Sequence, residues 1–141
     1  MTDAQKPQIQ PQIILLCRDL IFATKIQGTA QALGIRVKTV SNVSAATESL
    51  TERDPAHPPT LVLVDLGEAT WNSPENLSKI RAAVRPNQAV LCGFGPHVDT
   101  ASLAAAAKAG FNQVLPRSQF SATLPVLLRK LAQPAAESQV P

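Results

Sequence analysis

The sequence predicts an α/β domain, a five-stranded parallel sheet with helices on both faces, and three observations predict it. The apolar runs Ile13 to Leu16, Leu61 to Val64 and Ala89 to Leu91 are short and continuous, as strands buried on both faces should be. Between the runs, apolar residues return every three or four positions, the period of a helix packed by one side. Strand and helix patterns alternate strictly through five units, and parallel neighbours need crossovers, which are right-handed. At 141 residues one such domain can bury a core without disulfides or metals. The doubly wound, flavodoxin-like order 2-1-3-4-5 is the usual solution at this length.

Residues 1–11 are rich in Gln and Pro, and residues 133–141 read "QPAAESQVP"; both look like flexible tails around a domain at 12–132. The first strand is "IILL". Phe22, Ile26, Ala30 and Leu33 mark the first helix, and Gly34 suits its left-handed cap. "IRVKTV" is mixed enough for an edge strand. Ser44 can cap a second helix, "AATESLTE", which the Pro-rich "DPAHPPT" ends. "TLVLVDLG" is the third strand, and Ser73-Pro74-Glu75 starts a helix through Leu77, Ile80 and Val84. After the fourth strand, Gly93, Gly95 and Pro96 are expected to shape a turn. Asp99 or Thr100 opens an Ala-rich fourth helix, closed by Gly110. "NQVLP" is the other edge strand, and Ser121 starts a fifth helix carrying Leu124, Leu127, Leu128 and Leu131.

Composition excludes several classes. A formal charge of +3, with no Lys/Arg run and only four Phe and one Trp, makes no nucleic-acid footprint. No apolar segment approaches the roughly 20 residues that span a bilayer, and "MTDAQKPQIQPQ" lacks a signal peptide's apolar stretch. Cys17 and Cys92 sit in apolar runs as small hydrophobes, so a reducing cytoplasm is the expected compartment.

In the order 2-1-3-4-5 the first and third strands end side by side, and ligands of open α/β sheets bind at the carboxyl ends there. That edge holds Cys17, Arg18 and Asp19 after the first strand and Asp65 at the end of the third. A carboxylate there serves either as a site or as a helix cap.

On these residues the chain resembles response-regulator receiver domains over roughly residues 12 to 132. The likeness rests on the five-unit order, on "LVLVD", on "AAKAGFNQVLPR" and on "QALGIRV". It implies that Asp65 is the phosphoacceptor equivalent. The family's Mg²⁺-binding acidic pair falls on Cys17 and Arg18, its Ser or Thr on the hydroxyl-free stretch Gly93 to Gly95, and its lysine on Arg117. With one reliable carboxylate, and a soft thiol where a hard ligand belongs, no metal is expected. Arg18 is then a candidate stand-in for the cation, neutralising Asp65; the alternative is an Arg18 that points to solvent beside Asp19, with Arg117 the next candidate to neutralise the cleft.

Other residues can be read functionally. Cys92, His97 and Asp65 or Asp99 could form a Cys-His-Asp hydrolase, but "VLCGFG" is not a nucleophile elbow, so a structural thiol is favoured. "GFGPH" lacks the third glycine of a dinucleotide fingerprint, and His97 and His57 lie in separate loops. Trp71 is either a partner anchor at the rim or a residue packed under the third helix.

The expectation is a stand-alone pseudo-receiver with phosphoacceptor chemistry lost or weak, not an enzyme and without cofactor. Its partner is a protein, a signalling kinase or an output protein, and a homodimer is compatible. The resemblance implies a partner face of fourth helix, fifth strand and fifth helix, including Arg117, Phe120 and "SATLPVLLRKLA". Two alternatives stand beside it: an atypical regulator phosphorylated on Asp65 with Mg²⁺ and Asp19, and a small-ligand flavodoxin-like module or Cys hydrolase.

Overall fold

The computed structural model describes residues 12–51, 59–84, 89–96 and 98–132. The expected tails, the Pro-rich loop with His57, and His97 lie outside the described residues. The elements are β1 (Gln12–Leu16), α1 (Leu20–Ala32), β2 (Arg36–Val40), α2 (Val43–Thr51), β3 (Pro59–Asp65), α3 (Pro74–Val84), β4 (Val90–Gly95), α4 (Thr100–Ala109), β5 (Gln113–Pro116) and α5 (Arg117–Ala132). The strands form one sheet, β2-β1-β3-β4-β5, and all four pairings are parallel.

The central strands have no polar face, because each side of the sheet carries its own core. Ile14, Leu16, Val62, Val64 and Leu91 pack with Leu50, Trp71, Leu77 and Ile80 on the side of α2, α3 and α4. Ile13, Leu15, Leu63, Cys92 and Phe94 pack with Ile26, Phe120, Leu124 and Leu128 on the side of α1 and α5. Each fully buried large side chain contributes about 1.5–3 kcal/mol of transfer free energy, so the sheet position of these strands is strongly specified. Gly34 (φ 74°) and Gly110 (φ 102°) adopt the left-handed conformation at the ends of α1 and α4. Among the described residues no helix is long and apolar enough to cross a membrane.

Three local expectations are corrected. Gly93 and Gly95 are strand residues, not a turn, because Leu66 folds over β4: a Cβ on Gly93 would lie 2.8 Å from Leu66 Cδ1, and one on Gly95 3.2 Å from Leu66 Cβ. Helix α2 is capped by Asn42, whose Oδ1 accepts the Ala45 N–H at 2.7 Å, and Ser44 lies within its first turn. Helix α5 begins at Arg117, directly after β5, rather than at Ser121. Its first turn is polar except for Phe120, so the apolar period gives no sign of it.

Candidate functional site

The carboxyl ends of β1 and β3 meet by register. Leu16 pairs with Val64, so the next residues, Cys17 and Asp65, stand side by side, and Asp65 pairs with Phe94 on the other flank. Asp65 is 4 % exposed, and three donors converge on its carboxylate. Oδ1 accepts the Gly67 N–H at 3.0 Å, an Asx turn, and the Arg117 Nη2–H at 3.0 Å. The Cys17 thiol lies 3.8 Å from Oδ2 and 3.5 Å from the Asp19 carbonyl, and its one hydrogen can serve either.

Arg117 reaches this point because it is the first residue of α5 and β5 ends at the same edge of the sheet. Its guanidinium lies over the Phe22 ring, 5.3 Å from the centroid, with Nη1 3.7 Å from Asp19 Oδ2. Phe22, Phe94 and Phe120 form the aromatic floor beneath it, Phe94 stacked on Phe120 with centroids 4.4 Å apart. Planar charge over an aromatic face is a geometry that arginine holds well and lysine holds less well. Gly67 sits tightly in this crowding: a Cβ there would lie 3.3 Å from Asp65 Oδ1, 3.2 Å from Pro96 Cδ and 3.5 Å from Arg117 Nη2.

Asp19 is divided between two tasks. Oδ1 caps α1 by accepting the N–H groups of Ile21 (3.1 Å) and Phe22 (3.2 Å), while Oδ2 faces Arg117. Arg18 turns outward. Its Nη1 donates to Thr70 Oγ1 at 3.3 Å on the exposed rim, and Thr70 in turn donates to Glu68 Oε2 at 2.7 Å. Those Thr70 hydrogen bonds, with a smaller contribution from Arg18, hold the Glu68 carboxyl below its ordinary range. The cation that neutralises Asp65 is therefore Arg117. The expected Arg18–Asp65 pair is not formed, because the residue after Cys17 projects away from the face that Asp65 occupies.

Four other residues require correction or placement. Gly93 is not in the cleft; it lies on the opposite face, against Leu66 and Phe111. Phe120 is fully buried in the aromatic floor and cannot meet a partner directly. Trp71 is likewise buried: its indole N–H donates to the Asp65 carbonyl at 2.7 Å, and with the Asn72 bond to the Leu66 carbonyl (2.9 Å) it braces the loop after β3. Cys92 is fully buried, and burial pushes its thiol up to about 12. The roles of Gly67 and Phe22 at the site are not in the sequence reading, which gives Phe22 only as a core position of the first helix; the Asp-Leu-Gly spacing of an Asx turn is the signal for Gly67.

The Mg²⁺ that the receiver resemblance implies does not fit these residues. A hard, octahedral cation needs several anionic or carbonyl oxygens. Asp65 already accepts a guanidinium, and Asp19 is taken up by the α1 cap and by Arg117. The adjacent thiol is soft and firmly protonated, since burial, reinforced by the Asp65 charge, pushes Cys17 up to about 11. Among the described residues no group of three or more His, Cys, Asp or Glu could hold a metal.

No family model and no curated protein matches the chain. Solved structures do match. An orphan response regulator of H. pylori is 12 % identical, with TM-score 0.65 over 89 % of this chain and 96 % of its own. A response regulator from Thermotoga maritima is 18 % identical, with TM-score 0.64 over 88 % and 98 %. The signal receiver domain of an HD domain-containing protein from Pseudomonas fluorescens is 17 % identical, with TM-score 0.68 over 87 % and 94 %. At these identities the likeness is one of fold: the chain has the receiver fold.

Proposed function

We propose that this chain is a receiver-like signalling module that acts by binding another protein, with the phosphoacceptor chemistry of receivers lost or weak. One observation carries the reading: Arg117 Nη2 sits 3.0 Å from the carboxylate of Asp65, the phosphoacceptor equivalent. Phosphoryl transfer to a carboxylate joins two anions, so something must offset both charges in the transition state. In this cleft the offset is one fixed guanidinium shared between Asp65 and Asp19, and the donor set does not suit a hard divalent cation. Nothing in the geometry favours a Cys hydrolase either, since a nucleophile must be reachable as thiolate and Cys92 is neither exposed nor acidic. A receiver fold without transfer chemistry retains its surfaces, and binding is the function left to them.

Incubation of the pure protein with acetyl phosphate and millimolar Mg²⁺, followed by intact-mass measurement, tests the loss of chemistry. No phosphoryl adduct is expected. An adduct that disappears in Asp65→Asn would restore the phosphorylatable alternative.

A further inference from the structure

We infer that a cavity between the edge strand β2 and helix α2 binds a small zwitterion, an α-amino acid with a short aliphatic side chain. It is a site separate from the cleft and independent of the protein-binding reading above. The cavity measures about 450 Å³ and is lined by Lys38 and Val40 of β2 and by Ala45, Glu48, Ser49 and Thr51 of α2. Its size falls within the roughly 300–1,000 Å³ of small-molecule sites. Two periods build it: residues 38 and 40 point to one side of a strand, and residues 45, 48 and 49 share one face of a helix. Val40 belongs to the core on the α2 side of the sheet and Cys17 to the core on the α1 side, so the cavity and the Asp65 cleft lie on opposite faces.

Its walls hold a buried hydroxyl and a carboxylate that the described residues leave unmatched. Ser49 is 5 % exposed, and among the described residues nothing hydrogen-bonds its hydroxyl. Its neighbours on the helix behave otherwise: Thr47 donates to the Ser44 carbonyl at 2.9 Å and Thr51 to the Glu48 carbonyl at 3.0 Å. A buried hydroxyl without a partner is costly, and this one borders a cavity, where a bound group can reach it. Glu48 stands in the last turn of α2, at the negative end of the helix dipole, where cations are favoured, yet that turn has no basic residue. Among the described residues its carboxylate has no ion pair.

Each wall selects one part of the ligand. An ammonium meets Glu48 and the acceptor lone pairs of Thr51, and offsets the negative end of α2. A carboxylate meets the Ser49 O–H and the positive charge of Lys38. Val40 and Ala45 supply an apolar wall, which suits an aliphatic side chain and disfavours a further charge. A dianion such as inorganic phosphate is opposed by Glu48, and a diamine by Lys38.

Isothermal titration of the pure full chain with L-alanine, L-valine and L-leucine tests the site. At least one is expected to bind with Kd below about 1 mM and to raise the melting midpoint. For that ligand, Glu48→Gln and Ser49→Ala should each weaken binding about tenfold or more, as should removal of the amino group from the ligand, while Glu75→Gln on α3 leaves affinity unchanged. Glu48 is exposed, so Glu48→Gln decides the question even if Ser49→Ala fails to fold. No binding of any of the three at about 10 mM overturns the site. Binding that Glu48→Gln leaves intact, or that Glu75→Gln weakens as much, places the ligand elsewhere and overturns it too. Equal binding of the analogue without its amino group overturns the zwitterion.

Discussion

Replacing Arg117 with Ala should lower stability by about 2–3 kcal/mol, mostly through what it does to Asp65. A hydrogen bond to a charged group contributes roughly 1.5–3 kcal/mol, and the stacking on Phe22 adds about 0.5–1. Breaking a fully buried ion pair can cost about 3–5 kcal/mol, but the Arg117 side chain is 35 % exposed and water screens it, which sets the expectation below that range. Asp65 has the Gly67 N–H as a second donor, so its carboxylate is not left bare. For the roughly 110 described residues the unfolding entropy is roughly 0.23 kcal/mol/K, so the midpoint should fall by about 10 °C. Trp71, the one tryptophan and fully buried, reports unfolding in urea by its fluorescence. Asp65→Asn keeps the shape and loses the charge, and the double variant should cost less than the sum of the singles by about 1–2 kcal/mol. Additivity within about 0.5 kcal/mol would show that Arg117 does not neutralise Asp65.

Three further expectations follow from the same structure. Arg18→Ala should change stability by less than about 0.5 kcal/mol in a urea titration, since its contact is on the exposed rim, whereas Asp19→Ala should cost about 1 kcal/mol through the lost α1 cap and Asp19→Asn very little. Both thiols bind their protons more tightly folded than unfolded, so stability present below pH 9 should decline as pH rises from about 9 to about 11 for Cys17 and about 12 for Cys92. A double Cys→Ala variant should flatten that alkaline decline, and an unchanged slope would show the thiols are not its cause. Gly93→Ala should cost about 1–3 kcal/mol by thermal melting, because its methyl would press on Leu66 and Phe111 inside a packed sheet.

The strand order and the place of Asp65 were legible because both follow from period and alternation, which act over many residues. The choice between Arg18 and Arg117 as the neutralising cation was not. It depends on where α5 begins, and the polar first turn, Arg117 to Gln119, hides that start; a helix opening at Ser121 would leave Arg117 in a loop, free to point anywhere. Arg18 looked closer to Asp65 because it follows β1, yet the two-residue alternation that aims Cys17 at Asp65 aims the next residue away. For a related reason Trp71 stays open between a partner anchor and a residue packed under the third helix, and Phe120 is read as part of a partner face. Each is a single aromatic in a turn or first helical turn, where no periodicity says which way a side chain faces.

In the function proposed above, the Arg117 guanidinium takes, beside Asp65, the place that a divalent cation would hold. A crystal structure of the protein grown in millimolar Mn²⁺, as an anomalous stand-in for Mg²⁺, tests it most directly. The expected result is Arg117 at hydrogen-bond distance from Asp65 Oδ1, with no anomalous peak in the cleft. A metal peak at ligation distance from Asp65, about 2.1 Å for Mg²⁺ itself, with Arg117 swung into solvent, would contradict it.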